Sequence, residues 1–301
     1  MKNAVLNHLS SFLTKRFLPL LLVCLPAWSL YGQDVPVFLR SNYVERQIIK
    51  TRSDDFGVTR LAKGYFVFCS NGRKGMARLF SKPKIDLFLY DLGANKVSPF
   101  DKSGLCDIEK SKYNIGSISF SSDLKNVFLS RNRDLKNYEG YIPFELVQVD
   151  IEEANSECTI MSFVNSDYSY QQPYYDTKTE TLFFVSNMPG GKGGYDIYFT
   201  RRIGKYGWSA IQNLDFANSP YDDLFPTLDS ENNLYFSRPV DARGLEIFCL
   251  PNGTRIPVAL PGPFNTVGDD FNFSVIDKKN IVLARVAKKN GNSDIFLYSL
   301  K

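Results

Sequence analysis

From about residue 53 onward, short apolar runs separated by polar turns fill the chain, and the arrangement repeats. The most apolar runs lie at residues 65–70, 127–130, 182–186, 234–237 and 281–284. Before each of the last four stands a polar turn (124–126, 177–180, 230–233, 278–280). Before that turn is a short run ending in Asp (117–123, 173–176, 225–229, 271–277). After each apolar run an acidic residue opens a third stretch: Asp86, Glu145, Asp196, Glu246 and Asp294, at intervals of 59, 51, 50 and 48 residues. Asn114, Asn165, Asn218 and Asn265 precede the last four acids by 28 to 31 residues, and Asp55 precedes the first by 31. A second turn, as at Asn252-Gly253, leads to a fourth and more polar stretch such as 208–214.

Short runs bounded by turn residues read as strands, and nowhere does a long stretch keep the period of an amphipathic helix. Four strands per unit of about fifty residues, repeated in series, is the pattern of propeller blades. The pattern predicts an all-β chain: one β-propeller of five four-stranded blades over residues 33–301. The fifth unit reaches Lys301 without space for a fourth strand, while residues 35–50 form an unassigned apolar–polar stretch able to supply it. Sharing a blade in this way removes an exposed edge. Were that stretch to found a blade of its own, the number would be six.

The block Leu182-Phe-Phe-Val-Ser-Asn-Met-Pro-Gly-Gly-Lys-Gly-Gly-Tyr-Asp-Ile-Tyr198, followed by Trp208, Asn213-Leu214, Asn218-Ser-Pro-Tyr-Asp-Asp223 and Leu234-Tyr-Phe-Ser-Arg238, resembles the TolB-like propeller repeats of Gram-negative envelope proteins. The likeness is closest in the third and fourth units, looser in the fifth and slight in the first two. Such repeats often precede an OmpA-like peptidoglycan-binding domain, including in proteins associated with gliding and type nine secretion; these 301 residues hold no such segment. The resemblance implies a periplasmic or outer-membrane-associated protein that grips an envelope protein or peptide segment.

The first 32 residues stand apart. Lys2, Lys15 and Arg16 precede the apolar run 17–25, small residues follow at Ala27, Ser29 and Gly32, and the first acid is Asp34. This reads as a cleaved secretory signal; the run is too short for a membrane span, which needs roughly 20 apolar residues. A lipoprotein signal at Cys24 is the alternative, although Val23 before it is bulkier than that processing normally accepts. Loss of residues 1–32 lowers the formal charge from +4 to +1, so the positive total is no nucleic-acid signal. Of the four later cysteines, Cys69 and Cys249 sit in apolar runs as buried thiols do, and Cys106–Cys158 is the pair open to a disulfide in an exported chain.

The only His is His8, inside the signal. Its loss excludes Ser-His-Asp and Cys-His nucleophiles and most zinc sites, and no cofactor is expected. Carboxylate chemistry remains, since a glycosidase needs only paired Asp or Glu. Asp54-Asp55, Asp167, Asp222-Asp223 and Asp269-Asp270 stand just before the first strand of their units. Repetition in register favours a structural role, with carboxylates accepting N–H bonds in tight turns, over a catalytic pair, whose members have different tasks. Residues 189–194 (Pro-Gly-Gly-Lys-Gly-Gly) look like a phosphate loop, but a strand pattern follows where that motif requires a helix.

In antiparallel blades the segments leading into first strands share a face with the loops between second and third strands. That face, carrying Asp55, Asp167, Asp222, Asp223, Asp269 and Asp270 inside and Arg131, Arg133, Lys192, Arg238 and Arg243 outside, is the expected partner surface. A rim of one sign steers an acidic partner. The reading is therefore a non-catalytic interaction scaffold, with a carbohydrate-active or glycan-binding propeller as the alternative. Export predicts a mature product beginning near Gln33. Intact mass of the exported protein checks this; a product that retains residues 1–25, or is acylated at Cys24, overturns it.

Overall fold

In the computed structural model the five most apolar runs become strands buried on both sides between neighbouring blades. The structure describes residues 35–301 except 52, 73–83, 104, 106–113, 133–135, 138, 152–157, 205–206, 242–243 and 288–290. The buried strands are Tyr65–Ser70, Asn126–Asn132, Thr181–Ser186, Leu234–Pro239 and Asn280–Val286. A strand with apolar neighbours above and below has no solvent face to mark with polar residues, which is why these runs read as continuous.

Each is the second strand of an antiparallel blade. Blade one continues Asp55–Ala62 and Tyr65–Ser70 with Asp86–Asp91 and Lys96–Pro99. Blade two is Ile115–Phe120, Asn126–Asn132, Phe144–Asp150 and Cys158–Ile160. Blade three is Tyr170–Asp176, Thr181–Ser186 and Asp196–Ile203, its outer place shared by Gly207–Trp208 and Gln212–Asn213. Blade four is Leu224–Leu228, Leu234–Pro239, Leu245–Leu250 and Val258–Ala259. Blade five is Asp269–Asp277, Asn280–Val286 and Asp294–Leu300, and its outer strand is Tyr43–Ile49 from the other end of the chain. Tyr43 pairs with Leu300 and Gln47 with Phe296. The architecture is thus a five-bladed propeller, and the N-terminal strand completes the fifth blade instead of founding a sixth.

Neighbouring blades meet through packed apolar clusters. Val67 and Leu87 of blade one meet Ile115 and Val127 of blade two; Phe128 meets Tyr170 and Phe184 between blades two and three. Ile197 packs with Leu234 between blades three and four, and Tyr235 with Phe273 between four and five. Val282 and Ile295 of blade five meet Val58 and Phe66 of blade one, with Ile48 and Ile49 of the N-terminal strand in the same cluster. Ring closure is therefore a core as well as a ladder.

Each innermost strand carries the same irregularity. Pairing slips between Phe56 and Thr59, Ile115 and Ile118, Gln171 and Tyr174, Leu224 and Thr227, and Phe271 and Ser274. Such bulges bend a strand and break its alternation, so the runs expected from Ser117, Pro173, Phe225 and Phe271 in fact begin at Ile115, Tyr170, Leu224 and Asp269. At the first bulge Gly57 has φ +64°, and a Cβ there would lie 2.9 Å from Ser117 Oγ. Bulge side chains also bridge adjacent blades: Phe225 N–H donates to Gln172 Oε1 at 2.7 Å and Val58 N–H to Asn272 Oδ1 at 2.5 Å.

Cys69 and Cys249 are buried free thiols, as expected, and Cys158 is disulfide-bonded; Cys106 lies outside the described residues. Among the described residues no helix is long and apolar enough to cross a membrane. Deleting residues 33–50 would strip the outer strand of blade five and part of its core. The melting temperature should fall by more than about 10 °C, or the protein should aggregate through the exposed edge. A deletion variant that melts like the parent in a thermal scan would contradict this closure.

Candidate functional site

In blades one to four the fourth strand is short. It pairs with the third only from Phe88, Val147, Tyr198 and Phe248 onward, two residues past the acid that opens that strand. The start of the third strand therefore lacks an outer neighbour, and the segment leading into the next blade takes that place. Asp54, Asn114, Ser169, Asp222 and Asp269 occupy one position in the five lead-ins. Their side-chain oxygens accept the N–H of Ser293, Ile85, Phe144, Tyr195 and Leu245 at 3.3, 2.9, 3.1, 2.8 and 2.8 Å. Each donor immediately precedes the acid that opens a third strand in the neighbouring blade. In three lead-ins the next residue returns the bond: Asp55, Ile115 and Asp223 donate N–H to the carbonyls of Ser293, Ile85 and Tyr195.

This alignment corrects two sequence assignments. Asp167 is not in the ring; it lies two residues before Ser169, in a turn where its N–H donates to Asn165 Oδ1 at 2.9 Å. Asn114 is itself a bridging residue and no counterpart of Asn218 and Asn265. Those two sit four residues before the bridge and each clamps the N–H and C=O of one residue of the preceding blade. Asn218 accepts from Ile197 N at 2.9 Å and donates to Ile197 O at 2.8 Å. Asn265 does the same at Ile247, at 2.7 and 3.0 Å.

The residue after the bridge is Asp55, Asp223 or Asp270 in blades one, four and five, and each is wholly buried. All three close the lead-in turn by accepting the N–H and hydroxyl of a residue four positions earlier, Thr51, Ser219 or Thr266. Asp223 also accepts from Arg238 Nε at 2.7 Å, and Asp270 from Arg285 Nε. The Arg238 guanidinium lies 4.8 Å from the Phe248 ring centroid. Arg285 reaches on to Glu45 of the N-terminal strand at 3.0 Å and to the Pro263 carbonyl at 2.9 Å. Burial pushes both carboxyls upward, and the guanidinium beside each pulls back. Asp55 has Ser70 opposite it where blades four and five have Arg, and burial raises its pKa to about 6.

The expected partner surface is therefore built differently from its sequence outline. Asp55, Asp223 and Asp270 are interior, while Asp167, Asp222 and Asp269 are half-buried. Arg131 turns inward to Glu145 at 2.8 Å, as Arg238 does to Asp223. Lys192 is exposed and pairs with Asp215 at 3.0 Å; Arg133 and Arg243 lie outside the described residues. The glycine loop before Asp196 wraps that carboxylate, with Lys192 N and Gly193 N donating at 3.0 and 2.9 Å. A Cβ on Gly193 would meet the Tyr221 carbonyl at 1.9 Å. The loop opens a strand, as expected, and its amides are spent on Asp196.

At the opposite end of the first strands the central channel widens into a funnel of about 330 Å³. Blades one to five contribute Thr59 and Arg60, Ser119, Tyr174 and Asp176, Thr227, and Ser274 respectively. Only about 20 Å³ is free among the bulge residues deeper in, so the channel is pinched at mid-height. Among the described residues no group of three His, Cys, Asp or Glu could hold a metal ion.

No family model and no curated protein sequence matches the chain. Solved structures resemble it at low identity. TolB from Acinetobacter baumannii is 16% identical over 78% of this chain and 52% of its own, with a TM-score of 0.42. A protein of unknown function from Dyadobacter fermentans is 12% identical over 81% and 75%, at 0.48. An α-L-arabinofuranosidase from Lactobacillus brevis is 11% identical over 84% and 91%, at 0.49. The chain spans about half the length of the TolB chain.

Because the Asp55 pKa is higher in the folded chain than the ordinary carboxylate value, its protonated form stabilises the fold. That contribution is present below about pH 4 and is lost as pH rises through about 6. Relative to Asp55→Asn, the parent should lose on the order of 2–3 kcal/mol between pH 4 and pH 7. Urea unfolding of both proteins at the two pH values tests this, and a difference that does not change with pH would refute it.

Proposed function

We propose that this chain is a non-catalytic β-propeller, exported to the cell envelope, that holds a protein or peptide segment. One observation carries the reading: the carboxylates that repeat in register are consumed by the ring itself. A glycosidase needs an acid and a second carboxylate roughly 5–9 Å apart across an open groove. Here Asp55, Asp223 and Asp270 are buried under their own lead-in turns, and Asp54, Asp222 and Asp269 hold backbone N–H groups of the neighbouring blade. What such a ring offers other molecules is a stiff frame with loops on one face and a funnel on the other, an arrangement suited to binding.

Affinity capture of the tagged protein from its own envelope, read by mass spectrometry, tests the proposal. One envelope protein should co-purify reproducibly and rebind when purified, while arabinan, oligogalacturonate and peptidoglycan should yield no new reducing ends. Glycan cleavage that disappears in Asp222→Asn or Asp269→Asn would replace binding with catalysis. Absence of any rebinding partner would also overturn the reading.

A further inference from the structure

A groove of about 480 Å³ lies between blades three and four, open on the same face as the funnel. That volume lies within the range of ligand sites. Its floor is apolar, with Phe183 and Phe199 from blade three, Leu234 and Leu250 from blade four, and Phe216 from the segment joining them. Its cations are Arg201 and Arg255, both exposed. The Arg201 guanidinium lies 5.8 Å from the Phe199 ring centroid, and that of Arg255 lies 5.7 Å from Phe216. The lining holds no Asp or Glu, and neither arginine has a carboxylate partner among the described residues. These are the reverse of Arg131, Arg238 and Arg285, each neutralised inside its blade.

We propose that this groove docks an acidic peptide segment that inserts an aromatic or aliphatic side chain between the two blades. The proposal rests on the binding function above and names where one partner sits. Stacking on an aromatic face holds a guanidinium in place without cancelling its charge, so both arginines stand ready beside an apolar floor. A carboxylate arriving there gains charge-assisted hydrogen bonds, and its charge complements a lining that is positive only. Asn232, on the groove wall at φ +62°, has a side-chain amide with no hydrogen-bond partner among the described residues. An amide offering both donor and acceptor suits a peptide backbone; an ionised fatty acid accepts only and has no N–H to give its Oδ1.

Selection from a random peptide library on the whole chain, with counter-selection on an Arg201→Glu/Arg255→Glu double variant, tests the site. Enriched peptides should combine Asp or Glu with Phe, Trp or Leu. Each single reversal should weaken them by about tenfold or more, whereas Arg60→Glu in the funnel should leave them unchanged. Replacing the acids of the peptide by Lys should restore binding to the double variant. Because both arginines are exposed, the double variant should melt with the parent, which separates lost binding from lost folding. Equal binding to parent and double variant, or enrichment without acidic residues, overturns the proposal. So does sodium laurate binding that requires both arginines while no selected peptide does. If envelope capture persists in the double variant while the selected peptides fail, the groove assignment falls and the scaffold function stands.

Discussion

The ring depends on one recurring bond: a side-chain oxygen in the lead-in of each blade accepts a backbone N–H at the start of the third strand next door. The short fourth strands make it necessary. In blades one to four they leave the first residues of the third strand without an outer neighbour, and an orphaned buried N–H costs about 1–3 kcal/mol. Asp, Asn and Ser all serve, at positions 54, 114, 169, 222 and 269. The requirement is an acceptor oxygen on a short side chain, not a charge. Each bond spans two blades, so the outer ladder of one blade is completed by the chain on its way into the next. In the fifth blade the strand Tyr43–Ile49 supplies the outer edge, and the segment that follows it carries the bridge from Asp54 to Ser293.

Behind this ring lies a second layer of acids whose chemistry differs blade by blade. Asp223 and Asp270 have guanidinium partners, and Asp55 has none among the described residues. Two ions taken out of water recover their desolvation only when geometry and further hydrogen bonds are good. Here each arginine spends additional N–H groups on lead-in carbonyls, Arg238 on Ala217 and Arg285 on Pro263. Arg285 also reaches Glu45, so the closing strand is tied to the buried pair by charge as well as by its ladder. Removing either partner would strand the other in a place without water.

The register of the aspartates is the register of the bridges, and Asp54, Asp222 and Asp269 each hold a backbone N–H of the neighbouring blade. The surfaces left over are those the ring does not need: the loops on the lead-in face, the funnel with its pinched channel, and the groove between blades three and four. In that groove, Arg201 and Arg255 have no carboxylate partner among the described residues.

Blade number, the order of strands and the shared fifth blade were legible in the sequence, because strands buried on both faces leave long apolar runs and turns leave polar ones. The acceptor positions were partly legible. Asp54, Asp222 and Asp269 stand in register, but Asn114 and Ser169 do the same work with different side chains, and Asp167 imitates the pattern from a turn two residues away. Local pattern records residue type and spacing, whereas a bridge is defined by a donor in another blade, at a sequence distance that varies with every loop. The bulges were hidden for a related reason, since one extra residue breaks the alternation by which a strand is read. Whether an arginine faces water or an interior carboxylate cannot be seen along the chain at all. Arg201 and Arg238 stand in similar strand-and-loop sequence, and only the packing of neighbouring blades turned Arg238 inward to Asp223 and left Arg201 at the rim of an open groove.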